Sequence, residues 1–221
     1  MIALPKDLAA IVFDFDGVIL ESAGIKTNAF RDIFSRYPAA VDAIVAYHLQ
    51  NAGMGRIAKL RIIYRDFLKQ PLSPEDEKRL NQEFADYVGA RVAVCPLVPG
   101  ALELLTWSAA RYPLFVASGV PEEELRDLVV HRDLAKFFKG VNGSPRNKVQ
   151  ILSEIRAAHG WEAGQLLMIG DALTDSRAAA EAGTAFVGRV AEGDENIFAD
   201  QPKLGVVRDL GELLGVFLYY T

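Results

Sequence analysis

Ala9-Ala10-Ile11-Val12-Phe13-Asp14-Phe15-Asp16-Gly17-Val18 is the stretch whose reading decides the fold. A short apolar run ends in one carboxylate, and a second follows two positions later. The run has no polar alternation, so it reads as a strand covered on both faces, as in a parallel sheet between helix layers. Runs of the same kind recur at Pro113-Leu114-Phe115-Val116-Ala117, Gln165-Leu166-Leu167-Met168-Ile169 and Thr184-Ala185-Phe186-Val187, with a weaker one at Phe137-Phe138-Lys139-Gly140-Val141. Helix-like sequence flanks each, which predicts an α/β class with a Rossmann-like parallel core sheet and helices on both faces.

The expected helices carry recognisable ends. Pro99-Gly100 opens a segment with Leu102, Leu105 and Ala109 on one face, and Pro121 stands at an expected first helical position, ahead of Glu122, Glu123 and Glu124. Carboxylates there favour the helix dipole. Val149, Leu152 and Ile155 share a face that Gly160 ends, and Gly183 stops an Ala-rich helix from Asp175 to Ala182.

Residues 21–95 differ in kind. They carry helical periodicity and no convincing strand: Ala29, Phe30, Ile33 and Phe34 form one face, Ile57, Leu60, Tyr64, Phe67 and Leu68 another, and Leu80, Phe84, Tyr87 and Val88 a third. Ser73-Pro74-Glu75-Asp76 has a capping residue, a proline at the first helical position and an acid three residues after the cap. An all-helical insert of about 70 residues is too long for an ordinary connection. It is expected to be a cap domain of residues 21–95 on a core of residues 1–20 and 96–221, with hinges at Leu20-Glu21-Ser22 and Cys95-Pro96-Leu97-Val98-Pro99.

Composition narrows the function classes. The 221 residues carry 24 Lys plus Arg against 29 Asp plus Glu, a net charge of −5, and 51% of them are hydrophobic. That supplies a substantial core, and it lacks the basic stripe of a nucleic-acid binder. Cys95 is the single cysteine, which excludes an intrachain disulfide and a cysteine metal cluster and suits a reducing compartment. No stretch has the length of a membrane span and the first residues do not read as a leader, so the expectation is a soluble cytoplasmic protein, monomer or homodimer, with no membrane partner.

Four groups of residues can carry chemistry. Asp14 and Asp16 leave a strand end, where ligands bind in open parallel sheets, and Gly17 permits a tight turn there. Paired carboxylates favour a hard cation such as Mg²⁺; the same cluster could also be a turn without chemistry. Asp171 and Asp175, in Ile169-Gly170-Asp171-Ala172-Leu173-Thr174-Asp175, add two more acids at another strand end, where Asp175 could equally cap the next helix. Four converging carboxylates would repel one another unless a metal neutralised them. Ser118 and the backbone of Gly119 could hold an oxyanion, or Ser118 could cap a helix. Lys148 sits at a helix start, unfavourable for a cation unless it meets an anion; alone it would read as a surface lysine.

In order, Asp-x-Asp-Gly-Val, Ser-Gly, Gly-Ser-Pro-x-x-Lys and Gly-Asp-x-x-x-Asp, each after a strand-like run, resemble the haloacid dehalogenase (HAD) superfamily over essentially the whole chain. With its helical insert the chain looks like the phosphoglycolate-phosphatase-like and β-phosphoglucomutase-like members. The resemblance implies hydrolysis of a small phosphate ester, with Asp14 as nucleophile and Asp16 as general acid and base. It implies Mg²⁺ on Asp14, the Asp16 backbone carbonyl and Asp171, with Asp175 assisting. It places Ser118 and the Gly119 N–H on the phosphoryl oxygens and Lys148 on the nucleophile and phosphate. Asp16 separates the chain from the family's dehalogenases and phosphonatases, which lack that acid. Lys26 stands where β-phosphoglucomutases commonly carry a histidine, which lowers the mutase alternative; a non-catalytic phospho-ligand binding module ranks lower still.

Substrate choice is expected in the insert. Gln50-Asn51-Ala52-Gly53-Met54-Gly55-Arg56 reads as a glycine-rich loop entering a helix, with Arg56 and Lys59 on one side. Either these residues and Lys26 meet a polar or anionic part of the substrate, or the loop is a plain turn with solvated cations. His48, His131 and His159 fit no metal spacing and read as core-edge or surface residues. Trp107 and Trp161 are expected to pack helices on the sheet, Cys95 to be a hinge or core thiol, and the apolar C-terminal segment to dock on the core or form a dimer contact.

Overall fold

The structure, a computed structural model, describes residues 2–51 and 54–220. The described elements are β1 Ala10–Phe13, α1 Ala23–Phe34, α2 Val41–Gln50, α3 Arg56–Ile62, α4 Pro74–Val92, α5 Ala101–Ala109, β2 Leu114–Pro121, α6 Glu122–His131, β3 Phe138–Ser144, α7 Lys148–His159, β4 Leu166–Gly170, α8 Leu173–Ala182, β5 Ala185–Arg189, β6 Gly205–Val207 and α9 Leu210–Tyr220. All six strands are parallel, in the order β3-β2-β1-β4-β5-β6. This is the expected α/β Rossmann-like architecture. β1 lies between β2 and β4, so the strand order reverses there and opens a crevice at the carboxyl ends.

β1, β2, β4 and β5 bury both faces, which is why their runs are continuous. Ile11, Phe13, Val116, Leu167, Ile169 and Val187 face Leu104 and Leu105 of α5, Leu125 and Val129 of α6 and Leu213 and Phe217 of α9. Ala10, Val12, Phe115, Leu166 and Met168 face Ile151, Leu152 and Ile155 of α7 and Ala178, Ala179 and Ala182 of α8. The C-terminal helix therefore docks on the core through Leu210, Leu213 and Phe217, and Trp107 packs against Phe217. Trp161 lies edge-on to Phe115 of β2.

Helix ends follow the sequence closely. Ser73 Oγ accepts the Asp76 N–H at 3.0 Å, and Pro74 opens α4. Asn147 and Gln150 exchange hydrogen bonds at the start of α7, and Gly160 and Gly183 end α7 and α8. Asp175 sits one turn inside α8 and accepts the Ala172 N–H at 3.1 Å, so the cap position belongs to Ala172.

Other details differ from expectation. The buried face of α5 is Ala101, Leu104, Leu105 and Ser108, while Leu102 and Ala109 are exposed. Pro121 closes β2 and precedes α6, because β2 runs four residues past its apolar segment. After Ile62 the chain passes into a π-helical stretch, Ile63–Leu68, which shifts the buried positions to Ile63 and Tyr64 and leaves Phe67 and Leu68 partly covered. β6 has no counterpart in the sequence reading.

Helices α1–α4 lie in sequence between β1 and β2. The two expected hinge segments run side by side: the Glu21 N–H donates to the Pro96 carbonyl and the Val98 N–H to the Ile19 carbonyl, each at 3.0 Å. Cys95 is buried there, as a hinge or core thiol would be.

Candidate active site

Sheet topology assembles the site. β1 and β4 pair with Phe13 opposite Ile169, and the Asp14 N–H donates to the Ile169 carbonyl at 2.8 Å. Asp14 and Asp171 thus leave adjacent strand ends. One carboxylate oxygen from each of Asp14, Asp171 and Asp175 lies within 4.8 Å of the others. Gly17 has φ +72°, and a β-carbon there would fall 1.9 Å from Asp171 Oδ2. Only glycine lets the first loop pass this close to the second acid.

Lys148, buried at the start of α7, donates to Asp14 Oδ2 at 2.8 Å and also to Asp175 Oδ1. Burial disfavours its charge, but Asp14 and Asp175 outweigh that and hold its pKa above the ordinary lysine value. Burial pushes the Asp14 carboxyl up to about 7; Lys148 opposes the rise, and Asp175 and Asp16 add to it. Burial, Asp14 and Asp175 likewise raise Asp171 well above the usual carboxylate range. One lysine does not neutralise this cluster.

The all-oxygen donor set, crowded and short of positive charge, fits a hard divalent cation such as Mg²⁺. Asp14 and Asp171 are the residues available to hold it. Asp175 is tied to Lys148 and the Ala172 N–H, which suits it to orient its neighbours. The Asp16 carboxylate points elsewhere: its Oδ1 accepts the Ser22 hydroxyl at 2.6 Å, and Lys26 pairs with Oδ2.

The register of β2 on β3 jumps from Ala117 opposite Asn142 to Pro121 opposite Ser144, so Ser118, Gly119 and Val120 bulge from the ladder. Ser118 is buried, and Ser118 and Gly119 line the same cavity of about 610 Å³ as Asp14, Asp16 and Asp171. Lys26, Arg56 and Lys59 of the helical insert line it too. Arg56 is not free for a ligand, because its guanidinium reaches Glu124 of α6 at 2.6 Å and the Asn81 carbonyl at 2.9 Å. Ala52 and Gly53 of the expected specificity loop lie outside the described residues. A β-carbon on Gly55 would lie 3.7 Å from Ser144 Cβ and 3.8 Å from the Gly119 carbonyl oxygen.

Several residues at the site were not singled out by sequence. His48 is buried in the cavity wall, stacked on Phe30 and 3.0 Å from Lys59 Nζ. Arg189, buried at the end of β5, grips Glu21 with both terminal nitrogens and donates to the Gly17 carbonyl at 3.1 Å. An arginine closing an apolar strand is a visible signal for such a brace. Glu124 carried no signal beyond its place in an acidic first turn.

The fold and this acid–lysine centre define a HAD-like hydrolase: that family matches residues 8–183, and the chain belongs to it. It is similar to a phosphoglycolate phosphatase from Vibrio cholerae, 30% identical over 229 residues that cover 96% of this chain and 98% of the relative. Among solved structures, a hydrolase from Pseudomonas syringae superposes with a TM-score of 0.76 at 19% identity, covering 96% of this chain and 98% of that one. A protein from Bacteroides vulgatus named for β-phosphoglucomutase gives a TM-score of 0.76 at 17% identity, over 96% of this chain and 88% of that one.

Proposed function

We propose that this hydrolase cleaves a small soluble phosphomonoester, a sugar phosphate or phosphoglycolate-like compound, through an aspartyl-phosphate on Asp14, with residues 21–95 as a cap over the core. The observation that carries this reading is the junction of Asp14, Asp171 and Asp175 within 4.8 Å, with Lys148 donating to both Asp14 and Asp175. Phosphoryl transfer needs positioning and charge neutralisation above all. Mg²⁺, when bound, supplies positive charge against the phosphoryl oxygens and the nucleophile.

The chain's own residues do the rest. Lys148 holds the Asp14 oxygen and the incoming phosphate against their mutual repulsion. Ser118 and the Gly119 N–H receive phosphoryl oxygens. Asp14 Oδ attacks phosphorus as the bond to the leaving oxygen breaks, and Asp16 gives that oxygen a proton. Water then attacks the phosphorus of the acyl phosphate and yields its proton to Asp16, releasing phosphate and restoring Asp14. Ser22 and Lys26 hold Asp16 where the core meets the first helix of the insert. The family and the absence of a basic stripe fit a small-molecule substrate, a cytoplasmic setting and no nucleic-acid partner; among the described residues no helix is long and apolar enough to cross a membrane.

A phosphate-release screen over sugar phosphates, phosphoglycolate, nucleotides and an aryl phosphate tests the proposal. Release from at least one is expected, and silence across the panel contradicts it. Isomerisation of a β-sugar phosphate with little phosphate release would favour a mutase. Gly17→Ala is expected to lower aryl phosphate turnover by about 100-fold or more, because its methyl group displaces Asp171. A variant with near-normal turnover would show that the close approach is not required.

A further inference from the structure

Asp14 and Asp171 take their places from the sheet, because β1 and β4 pair up to Phe13 and Ile169. Asp16 lacks that support. It stands in the turn after β1, where Gly17 has φ +72° and the Gly17 N–H returns to the Leu20 carbonyl at 2.7 Å. Its carboxylate is held from the far end of that turn, by the Ser22 hydroxyl and by Lys26 of α1. Whatever fixes both ends of residues 17–22 therefore fixes where the Asp16 side chain points.

Arg189 does so. Its backbone ends β5, opposite Val207 of β6, and β4 lies between β5 and β1. The buried side chain spans that gap. Nε donates to the Arg208 carbonyl at 2.9 Å, Nη1 to the Gly17 carbonyl and to Glu21 Oε2 at 3.1 Å each, and Nη2 to Glu21 Oε1 at 2.5 Å. One guanidinium thus joins the residue after Asp16 to the residue before Ser22. A buried ion pair adds little net stability over apolar packing, because desolvation offsets the attraction. What a planar fork of N–H donors does add is placement, since it fixes its partners in angle as well as distance.

We propose that Arg189 is a positioning residue for the step in which the leaving oxygen gains its proton: through the Gly17 carbonyl and Glu21 it holds the Asp16 carboxylate at the cavity wall. Asp14, Asp171 and Lys148 are set by β1, β4 and α7 and do not depend on it. The assignment rests on the hydrolase reading above, in which Asp16 supplies that proton. It adds a residue that stands outside all four sequence motifs.

The test compares kcat/KM for phenyl phosphate, whose leaving oxygen needs a proton, with that for dinitrophenyl phosphate, whose phenolate leaves unaided. kcat/KM covers the steps through cleavage of the ester bond, so later hydrolysis of the acyl phosphate does not enter it. Arg189→Met is expected to lose about 100-fold on phenyl phosphate and less than about 10-fold on the dinitrophenyl ester, the pattern of a misplaced general acid. Arg189→Lys, which keeps the charge but not the fork, should recover part of the phenyl phosphate loss. Equal losses on the two esters in a folded Arg189→Met mean a merely structural role and overturn the proposal, as does full activity on phenyl phosphate. If Arg189→Met does not fold, Glu21→Gln decides: it keeps the side chain's shape, and a selective loss on phenyl phosphate of about 10-fold is expected, while an equal loss on both esters or none overturns the proposal. A wild type that hydrolyses neither ester overturns the hydrolase reading and the brace together.

Discussion

Asp14→Asn is expected to remove turnover by about four orders of magnitude while the chain keeps its fold. The amide has no anionic oxygen to form the acyl phosphate. It still offers the carbonyl oxygen that accepts the Phe15 N–H at 2.7 Å, and Lys148 keeps Asp175 as its partner. Stability should move in an informative direction. The folded Asp14 carboxyl titrates near 7, above its unfolded value of 3.8, so the native state binds the proton more tightly. Its contribution to stability is therefore full below 3.8 and is lost as pH rises through 7, by an amount on the order of a few kcal/mol in metal-free protein. Without that carboxyl, the metal-free Asn variant should melt with less loss between pH 4 and 8 than the wild type. Thermal melts across that range, beside an aryl phosphate assay, check both halves. More than a few per cent residual activity in the variant contradicts the role given to Asp14.

Stripping divalent cations with a chelator is expected to stop aryl phosphate hydrolysis, by about 100-fold or more, and Mg²⁺ in excess to restore it. Asp14 and Asp171 hold their protons unusually tightly because they are buried together with Asp175. Protons and metal then compete for the same oxygens, so metal affinity rises with pH through about 7. Added Mg²⁺ should raise the melting temperature at pH 8 and barely at pH 5, with stabilisation of about 2.7 kcal/mol at one hundred times the dissociation constant. Unchanged rates in chelator would remove the metal from the chemistry.

Most of the core was legible because its signals are local. β1, β2, β4 and β5 are buried on both faces and show as unbroken apolar runs, and Ser73, Asn147, Gly160 and Gly183 mark helix ends by their own chemistry. β6, with three residues beside a turn, is too short to stand out from a loop. The π-helical turn at Ile63–Leu68 breaks the period that sequence reading relies on. Asp14, Asp16, Asp171 and Lys148 were readable because each follows a strand, and parallel topology gathers strand ends. The partners of the buried arginines were not: Glu124 lies 68 residues from Arg56 and Glu21 168 from Arg189, and packing alone brings them together.

Mapping the covalent intermediate tests the central claim most directly. Enzyme turning over a substrate labelled in its phosphoryl group is quenched in acid and digested, and the label is located by peptide. The account predicts label on the peptide containing Asp14, absent when the enzyme is mixed without Mg²⁺. Turnover with no labelled protein, or label on any other residue, contradicts it.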